Sequence, residues 1–307
     1  QTLHSEGSSR PRQPSASPSP APSRVRRAVI PSATVAVLLL AWQLVVAAGI
    51  VPNFLLPSPT QVVVALASDA ALLADHAATT LAESVLGLLI GCAVGFAFAV
   101  LMDRFETVYL AFSPLITVSQ TVPTVAIAPL LVLWLGYGLA PKVVLVVLTT
   151  FFPITVSLVS GFRSVDPDLI DLMRTMNATS AQIFWQVKIP AAAEQFFSGL
   201  KISATYAIVG AVIAEWLGGF SGLGVYMTRV RKSFAYDRMF AVIALISALS
   251  LALMGAVGAI QRACMPWQKG SKHGFLDQAQ QAVSEGLCPR CRCPRCLGGA
   301  HRLRGVR

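Results

Sequence analysis

Charge is what this sequence has least of. Asp, Glu, Lys and Arg make up 12% of its 307 residues, against about 25% in ordinary soluble domains. With 55% hydrophobic residues and a mean hydropathy of +0.66, there are too few polar side chains to cover a water-facing surface. That excludes a soluble enzyme, a disordered chain and a fibrous protein together. The six cysteines offer no disulfide framework: Cys92 and Cys264 stand apart, and the other four crowd the last twenty residues. No G-x-x-x-x-G-K-[ST] phosphate loop occurs. The apolar runs hold no cluster of His, Asp, Glu and Cys of the kind hydrolysis needs, and the sequence shows no paired intramembrane charge or proton relay. A polytopic membrane protein remains. Its net charge of +10, from 24 basic and 14 acidic residues, fits basic cytoplasmic segments better than a nucleic-acid partner.

Six apolar runs are present: Val29–Ile50, Ala77–Met102, Val108–Leu135, Val143–Ser160, Ile202–Thr228 and Phe240–Ile260. Each can cross a hydrocarbon core of about 30 Å as a helix. The expected fold is an all-α membrane protein of six transmembrane helices, with a transmembrane domain over 29–262. Residues 1–28, with PSASPSPAPS and five arginines, read as a disordered tail, and 263–307 as a Cys- and Arg-rich one. Arg26 and Arg27 ahead of the first run, and Val46-Ala47-Ala48 at its end, mimic a cleaved signal peptide. The run exceeds the usual apolar core of about 7–15 residues, so it is read as a retained span. Lys and Arg placement puts both termini in the cytoplasm: Arg104, Arg163, Arg174, Lys188 and Lys201 fall inside, and the first outside loop, Val51–His76, has none. Arg229, Arg231, Lys232 and Arg238, outside, are the exception.

Gly87, Gly91 and Gly95 line one face of the second run. Small residues four apart let another helix approach closely, either within the chain or across a dimer. Between the fourth and fifth runs lies the longest cytoplasmic loop, read as two short helices. Asp166 is an N-cap with Pro167 at the first helical position, and Asp168 and Asp171 favour the positive end of the helix dipole. Leu169, Leu172, Met173 and Met176 form one apolar stripe, and Asn177 can end the helix in the left-handed conformation. Thr179 or Ser180 caps the second helix, Ile183, Phe184 and Val187 are its apolar residues, and Pro190 is expected to stop it. Such a pair either packs beneath the spans or docks into a groove on another protein.

The loop resembles the EAA motif of ABC importer permeases: Glu-Ala-Ala, three residues, Gly, nine residues, Ile-x-Leu-Pro. Asp171-Leu172-Met173, Asn177 and Val187-Lys188-Ile189-Pro190 stand at the matching positions. Asp for Glu and Asn for Gly keep an acid in the first turns and a residue able to turn left-handed, while Leu and Met make the stripe bulkier. PTVAIAPLLVLWLGYG from Pro123 and AEWLGGFSGLGVY from Ala214 resemble permeases of the nitrate, sulfonate and taurine group. Met227–Ile243 resembles permeases proposed to import thiamine pyrimidine precursors of the hydroxymethylpyrimidine type. The resemblance covers about residues 30–265. It implies a bacterial inner-membrane transport subunit, not an enzyme, paired as a homodimer within membrane lipid. It further implies two copies of a separate ATPase that carry the ATP and Mg, and an extracytoplasmic binding protein. Asp171, Leu172, Met173, Met176, Asn177, Ile183, Phe184 and Pro190 would then couple to the ATPase.

Two ionisable residues fall inside the runs, Glu83 and Glu215, and such residues are functional candidates. Glu215 precedes Gly218, Gly219, Gly222 and Gly224, which break the helix, and can accept hydrogen bonds from the freed N–H groups. An unpaired Glu215 beside a substrate path would instead favour a neutral or cationic cargo over sulfonate or nitrate. Gln120 and Pro123, in the Pro-interrupted third run, are further candidates for the path. Trp134, Tyr137, Trp216 and Tyr226 suit interfacial positions. Cys288, Cys291, Cys293 and Cys296 are weak metal candidates, because the two C-x-x-C units are one residue apart rather than about 15–20. A secondary transporter or channel not coupled to ATP is the alternative reading.

Overall fold

A computed structural model describes residues 24–49, 52 and 56–266, with backbone alone for 24–31. The two tails, including the four clustered cysteines, lie outside the described residues. Everything described that is regular is helical. Among the described residues, four helices are long and apolar enough to cross a membrane: α3 (Ala70–Arg104), α6 (Leu139–Arg163), α9 (Ile189–Gly218) with the short turns before it, and α11 (Tyr236–Cys264). α6 is the centre of the bundle and packs most extensively on α9 and α3.

The close α3–α6 packing comes from the glycine face. Gly87, Gly91 and Gly95 lie against Val146, Thr150, Ile154 and Thr155 of α6 in the same chain. A Cβ on Gly87 would sit 2.5 Å from Val146 Cβ, nearer than two carbons can approach. On the other side of α6, small residues again allow contact: Ala204, Ala207 and Ala211 of α9 are fully buried, and Ser203 donates to the Thr150 carbonyl at 3.0 Å. Val146, Ile154, Leu158 and Phe162 fill the space between the three helices.

Among the described residues, the six expected spans are not all single straight helices. The third, 108–135, is two helices, α4 (Glu106–Ser119) and α5 (Thr124–Leu135), which meet at 99°. The break falls at Pro123, which starts α5, while Pro114 and Pro129 sit inside helices. Pro123 restricts Val122 to extended backbone and so ends α4 before it. α1 (Arg24–Ala47) closes at Gly49, whose φ is 67°, and its described apolar part, Ser32–Ala47, is shorter than a full span.

The expected outside loop 51–76 instead holds α2 (Pro59–Ser68) and the first turns of α3. Ser58 and Gln61 form a reciprocal capping box at the start of α2, with Pro59 at the first position. The fifth span stops at Gly218 rather than 228. After the Gly219–Gly222 break the chain resumes as α10 (Leu223–Lys232).

Candidate functional site

Two places carry polar or exposed features that packing alone does not require. They lie at opposite ends of the bundle.

The first is the loop between α6 and α9. α7 (Pro167–Thr175) is capped at both ends as the residue types dictate. Asp166 accepts the Asp168 N–H at 3.0 Å. At the other end Asn177 takes a φ of 60°, and the Ala178 N–H reaches the Met173 carbonyl while the Asn177 N–H reaches that of Arg174. That six-to-one and five-to-two pair satisfies carbonyls a helix end leaves free. Thr179 and Gln182 then form a second capping box for α8 (Ser180–Ile183). Pro190 does not stop this helix. A π turn, Phe184–Lys188, carries the chain directly into α9, with the Ile189 N–H bonded to the Phe184 carbonyl. The wider turn absorbs the proline ring and its missing donor, so Pro190 lies in the first turn of α9.

The loop residues divide by exposure. Ile183 is buried, and Phe184 rests on Phe162 with ring centroids 5.5 Å apart. Lys188 bonds both oxygens of Asp103 at the end of α3, at 2.8 Å. These three fasten the loop to the bundle. Leu172 and Met176 face outward at 56% and 70% exposure. Met173 is half-buried, and Asp171 pairs with Arg174 on the surface at 3.1 Å. Trp185, 66% exposed, joins the outward apolar set and was not among the residues singled out by sequence. α7 buries none of its own residues, so its apolar face is not spent on the bundle.

The second place is the opposite end, where the Gly219–Gly222 break is stitched to α3. Glu215 is 1% exposed and accepts twice, from Thr80 Oγ1 at 2.7 Å and from the Gly224 N–H at 2.6 Å. Thr80 Oγ1 in turn accepts the Leu223 N–H at 2.9 Å, and His76 Nδ1 accepts the Gly222 N–H at 3.0 Å. Gly222 has a φ of 120°, and a Cβ there would overlap the Glu215 carboxyl group. Only glycine fits both demands. Beside it Lys142 Nζ donates to Glu83 Oε1 at 2.6 Å, with both side chains buried. Tyr226 donates to Asp69 at 2.7 Å and Arg238 pairs with the same carboxylate at 3.1 Å.

This arrangement corrects two expectations. Glu215 is not an unpaired acid beside an open path, so the cargo preference drawn from it has no footing. A paired intramembrane charge does exist, between Glu83 and Lys142. The signal for it was in the sequence: Lys142 is the single charged residue between Glu106 and Arg163. Gln120 and Pro123 lie exposed at the α4–α5 bend. A cleft of about 490 Å³ between α4 and α6, at the loop end, is lined instead by Tyr109, Ser113, Thr117, Thr155, Ser160 and Arg163, among others.

Comparison with known proteins places this bundle of apolar helices among membrane transport subunits. Residues 84–265 match the family described as "Binding-protein-dependent transport system inner membrane component", and the chain belongs to it. A "Probable ABC transporter permease protein" of Haemophilus influenzae is 39% identical over 74% of this chain and 93% of its own. The formylaminopyrimidine transport permease ThiX of Halalkalibacterium halodurans is 35% identical over 80% and 98%. The taurine transport permease TauC of Escherichia coli is 30% identical over 79% and 90%. Among solved structures, an inward-facing MetNI methionine ABC transporter superposes with a TM-score of 0.56 at 20% identity, over 62% of this chain and 95% of that one. That likeness supports the fold.

Proposed function

We propose that this chain forms the substrate path of an ATP-driven importer and couples to a separate ATPase through the 164–190 loop. The carrying observation is α7: both ends are capped, its base is fastened through Ile183, Phe184 and Lys188, and Leu172 and Met176 point away from the bundle. A rigid helix with an outward apolar stripe suits insertion into a groove. Asp171 and Arg174 flank the stripe with one charge of each sign, which favours orientation over strength. In this reading the loop end faces the cytoplasm, both termini lie on that side, and the Gly219–Gly222 end faces outward. Two copies of the chain enclose the path, two ATPase copies hold ATP and Mg, and a binding protein delivers the cargo.

The cargo class follows the relatives. The formylaminopyrimidine permease is 35% identical and the taurine permease 30%. A small organic solute of the pyrimidine-precursor type comes first, and a sulfonate or taurine second. The buried Glu83–Lys142 pair is a feature that a secondary transporter would also have, but the exposed coupling face has no use in one.

The test is purification of the tagged chain from native membranes in mild detergent. An ATPase recovered at equal stoichiometry with the wild type, and lost from Met176→Asp and Asp171→Lys while both variants insert and melt normally, is the expected result. Normal ATPase recovery and transport by both variants would sink the coupling role of α7.

A further inference from the structure

At the end opposite the loop, three buried ionisable side chains meet and their charges do not cancel. Glu83, Lys142 and Glu215 are 3%, 4% and 1% exposed. They come from α3, α6 and α9: Lys142 reaches Glu83 and the Ser221 carbonyl, and the Glu215 carboxyl group lies against Gly222, the next residue. Two carboxylates against one ammonium leave one net negative charge. The neighbours do not supply the missing cation. His76 uses Nδ1 to accept the Gly222 N–H, so its ring is neutral in this arrangement. Thr80 brings a hydroxyl, and Ser221 a carbonyl to Lys142 at 3.4 Å. Arg229 and Asp75 face His76 from the exposed side. An unbalanced buried charge costs several kcal/mol or is neutralised.

The hydrogen bonds show where neutralisation can occur. Of the four carboxyl oxygens, three accept: Glu83 Oε1 from Lys142, Glu215 Oε1 from Thr80, and Glu215 Oε2 from Gly224. Glu83 Oε2 is buried with no partner. An oxygen in that state is costly as an acceptor without a donor, yet it is free to carry a hydrogen. We infer that the Glu83–Glu215 pair binds one proton, making the cluster a neutral one-proton site. One carboxyl is then an acid, the other a carboxylate, and Lys142 an ammonium. The proton belongs to the pair, as for any two strongly interacting acids. The site joins the outer ends of α3, α6 and α9, so it is intact only while those ends are together.

Infrared spectroscopy of the full chain in detergent at neutral pH reads this directly, since a protonated carboxyl absorbs apart from a carboxylate. Among the described residues, the other ion-paired acids are Asp69, Asp103, Glu106 and Asp171, held by Arg238, Lys188, Arg163 and Arg174. The wild type should show one protonated-carboxyl band. Glu83→Gln and Glu215→Gln should each abolish it, because the acid that remains is balanced by Lys142. Lys142→Met should raise it about twofold, because neither acid then has a cation. A wild type without the band, or a band that survives Glu83→Gln, overturns the proposal. If Glu215→Gln or Lys142→Met does not fold, the wild type and Glu83→Gln decide it by themselves.

Discussion

Thr80 shows how much a single hydroxyl can hold. It donates to Glu215 and accepts from the Leu223 N–H across an otherwise buried junction. Thr80→Val keeps the shape but strands a buried N–H and a carboxyl oxygen, at about 1–3 kcal/mol each. The expected outcome is a clear drop in the melting temperature of the purified chain, with Thr80→Ser close to wild type. Gly222→Ala should be at least as damaging, because φ is 120° and the new methyl group meets the Glu215 carboxyl. A melting curve unchanged by Gly222→Ala would mean that the break does not need its observed geometry. At this scale the sequence was partly legible. Glu215 before a glycine cluster already pointed to a carboxylate capping freed N–H groups. Thr80 and His76 were not legible, because about 140 residues separate each from the backbone groups it binds.

At the scale of elements, the α3–α6 seam depends on absent side chains. Gly87→Val would force α3 away from Val146, and overpacking of this kind costs about 1–3 kcal/mol. Loss of folded protein in detergent, measured by size-exclusion recovery, is the expected result. A leucine at exposed Leu101, replaced by Val, should leave recovery unchanged. The small-residue spacing marked this face in the sequence but left its partner open, since a groove on a helix does not say which helix fills it. The ends of α7 were legible because caps are local: Asp166, Pro167 and Asn177 each act within a few residues of themselves. The turn after α10 has the same form, yet Phe234 occupies the left-handed position at a φ of 56°, and no residue preference announces that. The continuation through Pro190 was equally hidden, because a π turn leaves no sequence signature.

For the whole molecule, the distinction that matters is between what is fastened and what is free. Lys188 to Asp103 and Arg163 to Glu106 tie the loop end together, and the Glu215 junction ties the other. Lys188→Ala should loosen the base of the 164–190 loop, which the proposed function assigns to coupling. We expect weaker ATPase recovery on co-purification with little change in melting temperature, since one partly exposed ion pair contributes modestly. Equal losses in both would instead mark Lys188 as part of the general core.

By itself the sequence determined the membrane class, the helical fold, the two loop helices and the family resemblance. Each rests on composition, on the 3.6-residue period or on caps, all of which operate over a few turns of chain. Only the tertiary structure decided that the third run bends by 99° at Pro123, that Lys142 pairs with Glu83, and that Thr80 and His76 complete the junction around Glu215. Those depend on which helices become neighbours. In an apolar bundle that choice is made by shape and by buried polar partners far apart in the chain.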